Sequence, residues 1–300
     1  MKIRDSGSRA ILACMLLAAV ASGGVARADE KSVGPVISMA SMNVFRRYAT
    51  EDPAALFDFY SEVLGHERLT AYDVGGATAV MRIRAGASEL KFTGRTPGRE
   101  YQPGGMDNAT GIRLWTFYYS DKSALTQRFT DHGLTAPEFK AIGNSGRQSA
   151  LVSDPEGQLV QLIVTGDPVG TTYDEIEVGL TVSDLDKSRA FYRDFVGLEE
   201  LAPVYDPVFD TMKYSYRHGA TTISLRSFGA NLPADTGTGG IQYVVSDVEF
   251  VDRLAKERSI VIDQPLSELQ GFALRTIWLD DPDSITNYFA QTGPVRGVAQ

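Results

Sequence analysis

The sequence EVGLTVSDLDKSRAFYRDFVGLEEL, from Glu177 to Leu201, contains the elements that decide the fold. Its first residues alternate between apolar and small or polar side chains, as in a half-buried strand. Ser183 then begins a helix of the capping-box kind, and the residues up to Val196 place apolar and charged side chains on opposite helical faces. Gly197 ends this helix. The stretch therefore predicts a strand followed by an amphipathic helix that packs on a sheet.

The same pattern occurs earlier in the chain. The FY pair at 59–60 matches the FY pair at 191–192. A second marker repeats in the same order, because DPEG at 154–157 and DPD at 281–283 each precede an apolar run. Two different markers that recur in one order, far apart, indicate a duplicated domain rather than a solenoid.

These motifs resemble the vicinal oxygen chelate superfamily, which includes glyoxalase I, extradiol ring-cleaving dioxygenases, bleomycin-resistance proteins and fosfomycin-resistance proteins. The resemblance lies in a strand, the pattern V-S-D-L-x-K-S-x-x-F-Y-x-D-x-x-G-L, and the later DP(D/E)G turn, in which Ser284 replaces the last glycine once. It implies an α+β fold with two tandem domains, each of two paired βαβββ modules that form a curved-sheet cup. The family catalyses many reactions, so the fold alone does not determine the function.

The first residues have the pattern of a secretory signal peptide. Basic residues precede an apolar run at 10–21 that is too short to span a membrane, and ARA at 26–28 is a small-x-small cleavage site. We predict cleavage after Ala28 and a periplasmic or secreted protein, with no later membrane span.

The resemblance and the loop composition together divide the chain. Segments rich in Gly and Pro separate the four modules, which we place near 40–95, 108–166, 174–228 and 238–292. The predicted divisions are a signal peptide at 1–28, a lead-in at 29–39, a first domain at 40–166, a linker at 167–173, a second domain at 174–292 and a tail at 293–300.

Composition excludes several classes of function. Cys14 is the only cysteine and lies in the predicted signal peptide, so the mature chain offers no disulfide, thiolate nucleophile or cysteine-ligated metal. The formal net charge is −9, which disfavours binding to nucleic acid or to an anionic membrane. A small molecule is the expected partner, and both a monomer and a homodimer remain possible.

In the family that the chain resembles, metal ligands come from the opening and closing strands of the modules that share a cup, and they are usually His, Gln or Glu. We assume that consecutive modules share a cup. The corresponding positions are Phe45 (or Asn43), Glu89, Leu114 and Gln161 in the first cup, and Glu177, Gly240 and Tyr288 in the second. Because several of these side chains cannot bind a metal, and His66, His132 and His218 lie elsewhere, we predict neither a metal centre nor another cofactor.

Other side chains could bind a ligand in the second half. Strand alternation points Glu177, Gln242 and Tyr288 inward, together with Tyr216 and Arg226. A lone carboxylate among aromatic rings could bind a cationic or hydroxylated ligand, or act as a general base if burial raised its pKa. The alternative is a hydrogen-bonded glutamate at the start of a strand.

The first half carries a different set of candidates. Arg82 and Arg84 share one face of a strand, and Arg47 and Lys91 lie on neighbouring strands, so that an anionic ligand could bind there. The alternative is a solvated sheet face. A second set of side chains, which alternates with the inward positions, is expected in the core under a helix: Trp115, Phe117 and Tyr119.

These observations favour an exported, metal-independent protein that binds a small organic molecule. One alternative is a glyoxalase-like lyase or a ring-cleaving dioxygenase with an atypical site, for which Glu177 is the candidate catalytic residue and Fe, Mn, Ni or Zn the expected metal. A glutathione-dependent glyoxalase would be misplaced outside the cytosol. Another alternative is an interaction protein whose cups are vestigial.

Overall fold

The structure is a computed structural model that describes residues 31–73, 79–269 and 273–293. The predicted signal peptide, its cleavage site and nearly all of the predicted tail lie outside the described residues. Within the described part of the chain, no helix has the length and apolar character needed to cross a membrane.

Four βαβββ modules follow one another after a short 3-10 turn at Gly34–Val36. The first contains β1 (Asn43–Tyr48), α1 (Ala54–Asp58, continued by a π-helical turn at Phe59–Val63), β2 (Arg68–Asp73), β3 (Ala79–Ala85) and β4 (Ser88–Gly94). The second contains β5 (Gly111–Tyr119), α2 (Lys122–Asp131), β6 (Lys140–Ala141), β7 (Gln148–Ser153) and β8 (Leu159–Val164).

The second half repeats this order with one extra short strand. The third module contains β9 (Ile176–Thr181), α3 (Leu185–Ala190, continued by a π-helical turn at Phe191–Val196), β10 (Glu199–Glu200), β11 (Val204–Asp206), β12 (Thr211–His218) and β13 (Thr221–Arg226). The fourth contains β14 (Gly239–Val244), α4 (Val248–Glu257), β15 (Val261–Leu269), β16 (Leu274–Asp280) and β17 (Thr286–Thr292). The predicted α+β fold of four modules is confirmed.

The strands form two sheets. One sheet has eight strands in the order β15-β16-β17-β14-β1-β4-β3-β2, and the other has nine, β10-β12-β13-β9-β5-β8-β7-β6 with β11 attached to β12. The opening strands join the modules, because β1 pairs antiparallel with β14 and β5 pairs antiparallel with β9. Each sheet therefore combines one module from either half.

The grouping of the first module with the second, and of the third with the fourth, is wrong. The first module shares its sheet with the fourth, and the second shares its sheet with the third. All four opening strands are similar and each presents one free edge, so the sequence pattern does not distinguish which edges meet.

Helices α2, α3 and α4 each begin at an aspartate, whereas α1 begins at Pro53 without a side-chain cap. The side chains of Asp121, Asp184 and Asp247 each accept a hydrogen bond from the backbone N–H three residues further on, at 2.9, 3.1 and 2.9 Å. Such N-caps satisfy a donor that would otherwise be left without a partner at the helix start. The cap of α3 is thus Asp184, one residue after the predicted Ser183.

The helices cover one face of each sheet and form the core. Trp115 and Phe117 are buried there, as predicted, and Tyr119 is half-buried against the same core. Tyr60 and Tyr192, from the repeated FY pairs, are fully buried. The opposite, concave faces of the two sheets are left to form the cups.

The repeated Asp-Pro turns are tied to these tyrosines. The buried carboxylate of Asp154 accepts hydrogen bonds from the Tyr60 hydroxyl at 3.1 Å and from the backbone N–H of Gln158 at 3.0 Å. Arg46 on β1 adds an ion pair, with 3.1 Å between its Nη2 and the Asp154 Oδ2. The first Asp-Pro turn therefore has both hydrogen bonds and a counter-charge.

The second Asp-Pro turn keeps the hydrogen bonds only. Asp281 accepts from the Tyr192 hydroxyl at 2.8 Å and from the backbone N–H of Ile285 at 2.9 Å. Among the described residues no basic side chain forms an ion pair with it, and burial together with the charge of Asp283 raises the pKa of Asp281 to about 7.

Candidate functional site

A row of four side chains crosses the concave face of the nine-stranded sheet. In the register of the strands, Thr222 lies beside Glu177, Glu177 beside Thr116, and Thr116 beside Gln161. The position predicted for β5 in this row was Leu114. Thr116 takes it instead, and Leu114 pairs with Gly179 two residues further along β9.

Glu177 is held by two cations from neighbouring strands. The Lys213 Nζ lies 3.0 Å from its Oε2, and the Arg226 Nη2 lies 3.4 Å from its Oε1. Arg226 also donates to Asp206 at 2.6 Å and to the Ser224 hydroxyl at 2.9 Å. The side chain of Glu177 is only 8% exposed, so these contacts define its chemistry.

Burial alone would raise the pKa of Glu177. The positive charges of Lys213 and Arg226, with hydrogen bonds from Ser224 and Lys213, outweigh it and hold this pKa below its ordinary value. The expectation of a lone carboxylate is therefore wrong, and burial does not make Glu177 a stronger base. It remains ionised and paired.

A cavity of about 210 Å³ lies in front of this row. The sheet forms its floor, while the turn at 142–147 between β6 and β7 and the segment at 204–208 around β11 form its walls. Its lining residues are Thr116, Tyr118, Ile142, Ser145, Arg147, Gln161, Ile163, Glu177, Val204, Tyr205, Asp206, Pro207, Val208 and Lys213. Glu177 and Gln161, which were assigned to different cups, thus meet in one site.

Tyr216 lies on the other face of the sheet, so the inward placement predicted for it is wrong. Its hydroxyl donates to Glu200 at 2.8 Å and accepts from Arg189 of α3 at 3.1 Å. The reason is its register, because Tyr216 pairs with the buried Ile223, and side chains alternate along β13. Arg226 lies on the concave side, next to Glu177.

The eight-stranded sheet carries the equivalent row. Asn43 lies beside Gln242, and Gln242 beside Tyr288. Glu89 adjoins Asn43, because its backbone N–H donates to the Asn43 side-chain oxygen at 3.0 Å. In the opening strands, the ligand positions implied by the resemblance therefore carry Asn43 rather than Phe45, and Gln242 rather than Gly240.

The side chains of this second row are bonded to one another. Arg82 donates to both carboxylate oxygens of Glu89, at 2.6 and 3.0 Å. The Lys91 Nζ lies 2.6 Å from the Gln242 Oε1 and 3.6 Å from the Glu89 Oε2. Asn43 completes the network with a 3.3 Å hydrogen bond to Gln242.

An aromatic ring also closes one end of the same cup. The ring of Phe45 lies so close to Gly240 that a Cβ there would come within 2.0 Å of it. The buried Arg47 guanidinium lies 4.6 Å from the centre of that ring and donates to the Gly237 carbonyl at 3.1 Å. Arg84 is exposed and paired with Glu67 at 2.8 Å. The arginines proposed as an anion cluster therefore each have a partner of their own.

Comparisons with known proteins agree with this architecture. The model of the Glyoxalase/Bleomycin resistance protein/Dioxygenase superfamily matches residues 42–162 and 174–295. The chain belongs to this superfamily. A comparison with curated protein sequences finds no match.

Solved structures show the same fold. Glyoxalase I from Zea mays is 19% identical, with a TM-score of 0.62 over 85% of this chain and 93% of that one. A putative dioxygenase from Bacillus subtilis is 17% identical, with a TM-score of 0.58 over 86% of this chain and 87% of that one. At these identities the likeness concerns the fold alone.

Neither row of this superfamily member suits a divalent metal. Each row offers one carboxylate, Glu177 or Glu89, and each of these already binds a lysine and an arginine. The remaining positions carry amides, hydroxyls and a phenol. No cluster of three His, Cys, Asp or Glu side chains that could hold a metal ion occurs within the described ranges. Cations at the carboxylate also repel a metal ion.

The three histidines lie outside both rows. The ring of His66 packs 4.5 Å from Phe117 rather than lying in solvent, and burial lowers its pKa to about 4. His132 binds the Arg128 carbonyl, and His218 binds the Met39 carbonyl at 2.6 Å.

Several side chains of the cavity were not predicted from the sequence. Lys213 on β12 binds Glu177, and Asp206 on β11 binds Arg226. The sequence feature that could have indicated Lys213 is the alternation of side chains along β12. That feature requires the register between β12, β13 and β9. Arg147 lies in a turn, where no periodic pattern applies.

We expect Lys213→Gln to raise the pKa of Glu177, since it removes the largest favourable charge near the carboxylate. A ¹³C NMR titration of the glutamate carboxyl carbons measures this pKa. Lys187→Gln, on the exposed part of α3 where Lys187 pairs with Asp184, is the control and leaves the Glu177 pKa unchanged. An unchanged Glu177 pKa in Lys213→Gln would show that Lys213 does not hold the carboxylate.

Proposed function

We propose that this protein is exported and binds a small organic molecule, without a metal, in the cavity in front of Glu177. The observation that supports this most strongly is the pairing of Glu177 with Lys213 and Arg226. The carboxylate stands in the row where the superfamily resemblance implies metal ligands, and two protein cations already occupy its oxygens. The cavity nevertheless remains lined by both polar and apolar groups.

Binding is favoured over catalysis by Glu177 for an electrostatic reason. A general base works best when its pKa lies near the working pH, whereas the pKa of Glu177 is held below that of an ordinary glutamate. A paired carboxylate of this kind orients its cationic neighbours and accepts hydrogen bonds, which is what a binding site requires.

The binding function belongs to the nine-stranded sheet rather than to both sheets. In the eight-stranded sheet, Phe45 covers Gly240, and the row from Glu89 to Gln242 is bonded internally. A ligand there would have to displace buried aromatic surface and break several hydrogen bonds. We therefore assign one ligand per chain.

The metal-independent assignment predicts that no divalent metal is retained in stoichiometric amount. The mature protein is dialysed against Mn, Fe, Ni and Zn in turn, and its metal content is measured by elemental analysis. Stoichiometric retention of one metal that is lost in Glu177→Ala, but not in Glu89→Ala, would overturn the assignment and place a metal centre in the cavity.

The cavity assignment predicts that filling the cavity abolishes binding. Val208 lines it, so Val208→Trp should remove the signals of small organic fragments in saturation-transfer NMR. Val169→Trp is the matched control, because Val169 is 73% exposed in the connection between β8 and β9 and does not line the cavity. Fragments that bind equally well to Val208→Trp would show that the ligand binds elsewhere.

Export predicts a mature chain that begins at Asp29, because the ARA site at 26–28 is then cut after Ala28. Intact-mass measurement of the protein expressed from its full sequence in a secreting bacterial host identifies the first residue. A chain that retains residues 1–28 in the cytosolic fraction would contradict the proposal.

A further inference from the structure

We propose that the ligand is a small organic monoanion, a carboxylate with an apolar body, whose anionic end binds between Lys213 and Arg147. This inference rests on the proposed binding function and adds the chemical class of the ligand. It follows from the charges, the free donors and the apolar walls of the cavity.

The charged side chains that line the cavity, counted together with the buried Arg226 that pairs with two of them, carry an excess of one positive charge. Glu177 is paired with Lys213 and Arg226, and Asp206 is paired with Arg226 at 2.6 Å. Both carboxylates are therefore neutralised. Arg147 has no carboxylate oxygen within ion-pairing distance among the described residues, although it lines the same cavity. The charge of Arg147 also acts on the exposed Asp167, but Asp167 does not line the cavity, so one positive charge is left over inside it. This charge favours an anion and disfavours a cationic ligand.

The hydrogen-bond donors lead to the same conclusion. Arg226 is 1% exposed, and its donors already bind Asp206, Ser224 and Glu177. Lys213 has three N–H donors, and its two hydrogen bonds, at 3.0 and 3.3 Å, both go to Glu177. With its side chain 23% exposed, Lys213 retains a donor for a ligand. The guanidinium of Arg147 can supply two more in a fork that fits a carboxylate.

The cavity is small and has an apolar part besides its uncharged polar side chains. Its walls include Ile142, Ile163, Val204, Pro207 and Val208, which provide no charge. Its volume of about 210 Å³ is below the roughly 300–1,000 Å³ of pockets for drug-sized ligands. A compact aromatic or branched acid therefore fits better than a nucleotide or a glutathione conjugate.

The test compares three ligands of nearly equal shape and different charge, benzoate, benzamide and benzylamine, by isothermal titration calorimetry with the mature protein. We expect benzoate to bind most tightly and benzylamine not to bind. Arg147→Gln should weaken benzoate binding roughly tenfold or more, as expected for loss of a hydrogen bond to a charged group. Because Arg147 is exposed, this substitution leaves the core intact.

Arg217→Gln is the matched control. Like Arg147, Arg217 is an exposed arginine. It lies in the third module, pairs with Glu199 at 2.8 Å and does not line the cavity. Benzoate should bind this variant as it binds the unmodified protein.

Equal affinity for benzamide and benzoate would overturn the inference, as would benzoate binding that is unaffected by Arg147→Gln or the absence of binding by all three. These outcomes differ from failure of the proposed function. Uncharged fragments that are lost in Val208→Trp would leave the cavity as a binding site, with a ligand of another class.

Discussion

The antiparallel pairing of opening strands, β1 with β14 and β5 with β9, is the constraint on which the site depends. It joins modules from opposite halves of the chain, so that every row across a concave face contains residues far apart in sequence. Thr116 pairs with Gln161 inside its own module, but Glu177 joins their row only through the pairing of β5 with β9. A register shift of one residue in β5 then sets Thr116, rather than Trp115, opposite Glu177. Because side chains alternate between the two faces of a sheet, this shift keeps Trp115 on the helix-covered face.

The sequence predicted what local patterns encode and missed what long-range pairing determines. The repeated FY and Asp-Pro markers predicted a duplicated domain, the superfamily resemblance implied four βαβββ modules, and the structure has them. Alternation placed Glu177 and Arg226 on the correct face of the sheet but Tyr216 on the wrong one. It divides the residues of a strand into two sets, and only the register against the neighbouring strands shows which set points inward. The choice of sheet partners is not encoded in a single strand, so Glu89 was grouped with Gln161 although they lie in different sheets.

Both sheets neutralise the one carboxylate of the central row with a lysine and an arginine from the two strands that follow the opening strand in the sheet. In the eight-stranded sheet these are Lys91 and Arg82, and in the nine-stranded sheet they are Arg226 and Lys213. Glu177 stands on the opening strand itself, whereas Glu89 stands on the same strand as Lys91. Counted outward from the opening strand, the eight-stranded sheet has the lysine first and the arginine second, and the nine-stranded sheet has the reverse order. Both carboxylates therefore have the same two kinds of partner at different positions. A buried carboxylate requires such partners when no metal is bound. What separates the two cups is Arg147, whose additional charge reaches only the cavity of the nine-stranded sheet.

The two Asp-Pro turns have the same hydrogen bonds, but among the described residues only one of them has a counter-charge. Asp154 and Asp281 both accept a tyrosine hydroxyl and the backbone N–H four residues further on, which are donors that the turn and the FY helix always supply. The counter-charge comes from a different place, β1, where Arg46 reaches Asp154. Arg46 is the third residue after Asn43 in β1. The third residue after Glu177 in β9 is Leu180, which carries no charge. Asp281 thus depends on hydrogen bonds alone. Its pKa rises to about 7 because these bonds do not outweigh the loss of hydration and the charge of Asp283. The turn motif alone therefore specifies the local backbone, while the counter-charge of Asp154 comes from a strand more than a hundred residues away in the chain.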